Sequence, residues 1–276
     1  MSFTIQIRYD RVMKHAMRIS IIDYLNAAPL NMAFKEGVCS QDLELIYDFP
    51  SQCADNLASG KADAGLISSI EYQRIPNLKV ASGVCIASRK KVRSVVIITK
   101  KEFKDIEFIA LDRFSRSSIA LCKLLFKRKC GRVPKVMTMV PELEQMLEFA
   151  DAALVIGDAA LRQEDHGYQS LDLAELWHGE TGLPFVFAFW VMNQKGAEYG
   201  ISERCRQAAQ YGQDHLVSRL PDLEKQYGMT GEEIHTYLTQ NIHYQMGEQE
   251  LESLNRFYTY SRELGIIPEY HPLQFC

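Results

Sequence analysis

Short apolar runs rich in β-branched residues alternate with helix-forming segments along most of the chain. This alternation limits the fold more than any other feature. Residues 18–22, 43–47, 62–67, 79–87 and 92–99 read as strands. Pro29 is placed to open a first helix, because proline fits the first turn. Ser51 is placed to cap a second helix that reaches Ala58 and stops at Gly60. A second series begins near residue 105, with strands at 108–111, 135–140 and 152–156. Between them, Ser115-Arg116-Ser117-Ser118 starts a helix that runs to Lys129 and ends at Gly131, and residues 142–149 form another. Residues 171–177 are expected to be helical, and the wholly apolar run 185–192 is expected to be a strand buried on both faces. Past residue 200 the chain turns helical. One helix covers 202–220 and ends before Pro221. Thr230 and Glu233 form a capping box for the next, which runs through Thr239. Leu251, Leu254, Tyr258 and Leu264 share one stripe of a last helix, closed by Gly265 and Pro268.

Strands alternating with helices imply an α/β fold with mostly parallel sheets. Two such series and a helical tail imply two lobes with a cleft between them. The expected division is an N-terminal extension at 1–16, one discontinuous lobe at 17–99 and 191–276, and a second lobe at 100–190.

Composition narrows the function classes. The 276 residues are 47% hydrophobic and 24% charged, as in ordinary globular proteins. With 31 basic and 35 acidic residues, the net charge of −4 lacks the basic excess of a nucleic-acid binder. The cluster Lys123, Lys127, Arg128, Lys129 and Arg132 suits a solvated helix C-terminus. No window approaches the roughly 18 uninterrupted apolar residues of a membrane span, and residues 1–16 lack a signal-peptide core. Seven scattered cysteines without a CxxC pair point to reduced thiols and a cytoplasmic protein. Dispersed histidines without an HExxH give no metal site.

Ligands in such folds bind at strand carboxyl ends or between lobes. Four segments fall there: 24–29, 68–69, 115–118 and 157–158. Ser115, Arg116, Ser117 and Ser118 put three hydroxyls and unpaired N–H groups at a helix start, where the dipole favours an anion. Asn26 at a strand end can both donate and accept, or merely form a turn. Ser94 follows a basic turn and either faces the cleft or is an ordinary residue of the 92–99 strand, and Asp158 reads first as an N-cap. No GxSxG, GxGxxG or GxxxxGK[ST] pattern occurs. From the residues alone, an enzyme and a binding protein for a small organic anion remain open.

RISIIDYLNAAPL, ADAGLISSIEY, VRSVVI, LDRFSRSSIALCKLL, DAALVIGDAAL and TGLPFVFAFW occur in that order. Together they resemble the chorismate dehydratases of the futalosine route to menaquinone, which have the two-lobed fold of type II periplasmic binding proteins. The sister cyclase of that route shares the fold but starts with a CPND-like segment, where this chain has Asp23-Tyr24-Leu25-Asn26. The resemblance implies removal of water from chorismate, giving 3-[(1-carboxyvinyl)oxy]benzoate, without a cofactor. It assigns Asn26 and Ser94 to catalysis. It assigns Ser68, Ser115, Arg116, Ser117 and Ser118 to substrate binding, with Ser117 where threonine is commoner; Asp158, at its strand end, is a further candidate substrate contact. The basic turn Ala87-Ser88-Arg89-Lys90-Lys91 departs from the family's Gly-Pro turn.

Overall fold

The computed structural model describes residues 16–162 and 167–276. Residues 1–15, nearly all of the expected extension, lie outside the described residues. The first series runs β1 (Met17–Ile22), α1 (Ala28–Lys35), β2 (Leu43–Asp48), α2 (Pro50–Ala58), β3 (Ala64–Ser68) and β4 (Lys79–Ser88). The second runs β5 (Val95–Thr99), β6 (Phe108–Asp112), α3 (Arg116–Cys130), β7 (Lys135–Met139), α4 (Leu143–Phe149), β8 (Ala152–Ile156), α5 (Gly157–Leu161), β9 (Gln169–Asp172) and α6 (Leu173–Thr181). The chain closes with β10 (Phe185–Met192), α7 (Gln194–Glu198), α8 (Ile201–Tyr227), α9 (Gly231–Thr236), β11 (His243–Gln245) and α10 (Glu248–Glu263).

These strands form two sheets, one per lobe: β11-β4-β10-β3-β1-β2 and β7-β6-β8-β5-β9. The helix-linked strands pair in parallel, β1 with β2 and β3, and β6 with β7 and β8. By contrast, β10 is antiparallel to β3 and β4, and β5 is antiparallel to β8 and β9. Both sheets are therefore mixed, not mostly parallel. A parallel neighbour needs a crossover connection. The strands that enter each sheet from the other lobe arrive by short links, and they run the other way.

Those two strands also move the lobe boundaries. Residues 95–99, expected in the first lobe, pair with β8 and β9 of the second sheet. Residues 185–190, expected in the second lobe, lie between β3 and β4 of the first. The chain thus changes sheet between Ser88 and Val95 and again between Thr181 and Phe185. An apolar strand reads the same whichever sheet buries it.

Three local expectations change as well. Ser51 does not cap α2: Pro50 opens it, and Gln52 Oε1 accepts the Phe49 N–H at 3.1 Å. Helix α6 starts only at Leu173, because Asp172 caps it and residues 169–172 pair with β5. Helix α8 continues through Pro221 to Tyr227. This helix packs on the start of α1 so closely that a Cβ at Gly212 would lie 1.8 Å from the Pro29 carbonyl oxygen. Only glycine permits that approach, and it fixes the chain just after Asn26. Every residue of β10 is buried, with Trp190, Phe189 and Phe185 at the centre of the core. Among the described residues no helix is long and apolar enough to cross a membrane.

Candidate functional site

A cleft open to solvent lies where the ends of both sheets meet. Asn26 reaches it on a single 3-10 turn after β1, and Ser68 ends β3. Ser94 arrives because β5 is antiparallel to β8. Val95 pairs with Ile156, so the start of β5 stands beside the end of β8. The Ser94 carbonyl accepts the Gly157 N–H at 2.7 Å and locks that corner. Ser115 and Ser118 complete the polar wall from the start of α3, while Ile22, Ile86, Val92, Val95, Ile156 and Phe187 supply apolar surface.

The four residues at the start of α3 divide by helix face. Ser115 is the N-cap: its Oγ accepts the Ser118 N–H at 3.4 Å and lies 2.8 Å from the Ser118 Oγ. These two, three residues apart, face the cleft. Ser117 and Arg116 turn away from it. Ser117 is fully buried, lies 3.1 Å from the Ser69 Oγ and accepts the Ile70 N–H at 3.0 Å. The Arg116 guanidinium reaches the buried Glu71 at 2.8 Å and both Asp55 oxygens at 2.8 and 3.0 Å. Both residues tie the second lobe to the first and are absent from the cleft lining.

Asp158 does not cap α5, where Ile156 holds the N-cap position. Its carboxylate instead accepts the Leu25 N–H at 3.1 Å, holding the turn that carries Asn26. The Asn26 carbonyl is held in turn by the Tyr244 hydroxyl at 3.0 Å. The Asn26 side-chain amide has no protein hydrogen bond among the described residues and stays available to a ligand. Gly157 has φ +63°, and a Cβ there would come within 3.2 Å of the Tyr24 ring.

Further residues at the site escaped the sequence reading. Arg93 has φ +63°, a costly backbone for a non-glycine residue. Its N–H is held at 2.6 Å by Asp172, which also accepts the Ala174 and Glu175 N–H groups. Tyr237, the buried first residue of the π-turn Tyr237–Asn241, places its hydroxyl 2.7 Å from the Ser94 Oγ. Phe49 and Phe114 stack across the lobes with ring centroids 4.6 Å apart. Of these, a local signal exists for Asp172 alone, as an Asp immediately before the helix-forming stretch that begins at Leu173.

No charged side chain is among the described cleft-lining residues. An anion there meets hydroxyls, the Asn26 amide and the positive end of α3. Asp112, buried at the end of β6, has its carboxyl pushed up to about 6 by burial, while hydrogen bonds from Phe114 and Ile156 oppose the shift. Burial likewise raises the Tyr24 phenol, with the Asp112 and Asp158 charges adding to the effect. Among the described residues, no group of three or more His, Cys, Asp or Glu side chains could hold a metal ion.

Two lobes, two mixed sheets and a cleft between them define a periplasmic-binding-protein-like fold. A protein of Archaeoglobus fulgidus superposes with a TM-score of 0.73 at 17% identity, over 91% of this chain and 98% of that one. The alkanesulfonate-binding protein of Xanthomonas axonopodis pv. citri superposes with a TM-score of 0.66 at 14% identity, over 92% and 94%. The sequence narrows the class: residues 17–263 match the menaquinone-biosynthesis family, and the chain belongs to it. The chorismate dehydratase of Campylobacter jejuni is 27% identical over 252 residues, spanning 89% of this chain and 97% of its own length. That of Thermus thermophilus is 29% identical over 191 residues, spanning 62% and 68%.

Proposed function

We propose that this protein is a cytoplasmic chorismate dehydratase, a hydro-lyase that converts chorismate to 3-[(1-carboxyvinyl)oxy]benzoate and water. One observation carries the reading. Asn26, Ser94 and the Ser115/Ser118 helix start come from three separate segments and line one cleft. The family membership and the two dehydratase relatives point the same way. The seven free cysteines fit a reducing compartment.

The start of α3 holds one substrate carboxylate, with Ser115 and Ser118 as donors. The apolar wall takes the ring. Asn26 orients C3 and C4 through its unpaired amide, so positioning supplies much of the rate. Ser94 hydrogen-bonds the hydroxyl leaving C4. The C3 proton passes to the substrate's own enolpyruvyl carboxylate, since no Asp, Glu or His lines the cleft among the described residues. Proton and hydroxyl leave as water, and the ring becomes aromatic. Asp158, Arg116 and Ser117 act on the framework of the site and do not touch substrate.

The test is incubation of the purified protein with chorismate alone, followed by chromatography with mass detection. The expected product is lighter by one water and absorbs as an aromatic. Asn26→Ala is expected to lose turnover by at least about a hundredfold while keeping its fold. Near-normal turnover in that variant removes Asn26 from the mechanism. Chorismate that stays intact yet protects the protein against heat makes the chain a binding protein.

A further inference from the structure

Ser94 makes one side-chain hydrogen bond among the described residues, and its partner fixes where the serine proton points. The Tyr237 phenol and the Ser94 hydroxyl lie 2.7 Å apart, both buried. A phenol is much the stronger acid of the two, so it donates and the serine oxygen accepts. The Ser94 proton then has no acceptor among the described residues, and the cleft that Ser94 lines is its remaining destination.

The turn that delivers Tyr237 is itself unusual. The Ile242 N–H reaches back five residues to the Tyr237 carbonyl at 3.0 Å, which makes this a π-turn, and such turns cluster at functional sites. Its far end is fastened to the strand approach, where Asn241 Nδ2 donates to the Lys91 carbonyl at 3.0 Å. The π-turn therefore grips residues 91–94 at two points, one on the backbone and one on the Ser94 hydroxyl. Burial raises the Tyr237 phenol well above its ordinary range, so it keeps its proton throughout the neutral range.

We propose that Tyr237 is a positioning residue that makes Ser94 a one-way donor to the oxygen departing from the substrate. The inference rests on the reading of this cleft as a dehydratase site. Tyr237 touches no substrate. Its hydroxyl occupies the serine lone pair that would otherwise let Ser94 turn away from the ligand, and a correctly aimed donor matters most where charge develops on the leaving oxygen.

The test compares wild type, Tyr237→Phe, Ser94→Ala and the double variant in steady-state chorismate turnover, with thermal midpoints measured alongside. Phenylalanine keeps the ring and removes one buried hydrogen bond. Expected for Tyr237→Phe is a loss of about tenfold in kcat with KM within about twofold, the scale of one hydrogen bond in the transition state. In the Ser94→Ala background the same change is expected to cost less than about twofold, because the two residues act as a unit. Site-specific 3-fluorotyrosine at 237, which keeps the donor, is expected to recover turnover relative to phenylalanine. It also carries the test should the phenylalanine variant fail to fold, since loss of turnover in a folded fluorotyrosine variant refutes the donor role. Unchanged kcat in Tyr237→Phe, or losses that multiply in the double variant, overturn the proposal. A wild type that leaves chorismate intact overturns the dehydratase reading and this inference with it. A wild type that turns over while Ser94→Ala matches it removes Ser94 and Tyr237 but leaves the dehydratase.

Discussion

Ser117 separates a sequence reading from a structural one, and Ser117→Ala distinguishes them. Its hydroxyl sits in a chain whose protons can all be placed. The Ile70 N–H donates to Ser117 at 3.0 Å, Ser117 donates to Ser69 at 3.1 Å, and Ser69 donates to the Val186 carbonyl at 2.8 Å. The chain joins α3 of the second lobe to the turn after β3 and to β10 of the first. Alanine strands the Ile70 N–H in a fully buried site, at about 1–3 kcal/mol, and removes the Ser117–Ser69 bond, worth about 1 kcal/mol. The expected loss is roughly 2–4 kcal/mol in urea unfolding. At about 2–4 °C per kcal/mol for a chain near this size, the thermal midpoint falls by roughly 4–16 °C. KM for chorismate is expected to stay within about twofold. Ser115→Ala in the same assays is the contrast, because it removes a cap worth about 1 kcal/mol and a hydroxyl that faces the cleft. A Ser117→Ala protein with an unchanged midpoint and KM raised tenfold or more would refute the placement and return Ser117 to the ligand.

Asp112 predicts a pH dependence of stability. Its folded carboxyl sits at about 6 against an ordinary 3.8, so its contribution is full below pH 3.8 and is lost as pH rises through 6. Asp112→Asn is therefore expected to be more stable than wild type above pH 6, by up to about 3 kcal/mol, with the gap closing near pH 4; an equal gap at pH 4 and pH 7.5 in urea unfolding contradicts it. Gly157→Ala forces φ +63° on a residue with a Cβ and sets that Cβ 3.2 Å from the Tyr24 ring. The strain costs about 1–2 kcal/mol, and the displaced ring is expected to raise KM severalfold, an effect that kinetics identical to wild type would exclude.

What the sequence made legible follows a physical divide. Asn26, Ser68, Ser94, Ser115 and Ser118 stand at strand ends or a helix start, and such signals span only a few residues. Helical periodicity could also have split Ser115 and Ser118 from Arg116 and Ser117, since residues three apart share a face. It could not have said which face meets the cleft, because the other lobe decides that. The residues that steady the site are different in kind. Asp158 holds Leu25 across 133 positions, Tyr237 holds Ser94 across 143, and Tyr244 holds the Asn26 carbonyl across 218. None of these pairings leaves a local trace, and Asp158 even imitates an N-cap. The lobe boundaries failed for the same reason, since β5 and β10 carry apolar patterns that either sheet would bury. A ligand-facing polar group must keep hydrogen-bonding capacity to spare, so it sits at the terminus of an element, where a local sequence signal announces it. A buttress must be buried and paired, so it is hidden inside whatever core the topology closes around it. Site-directed changes guided by sequence motifs alone would therefore reach Asn26 and Ser94 and miss Tyr237 and Tyr244, although the second pair fixes the geometry of the first.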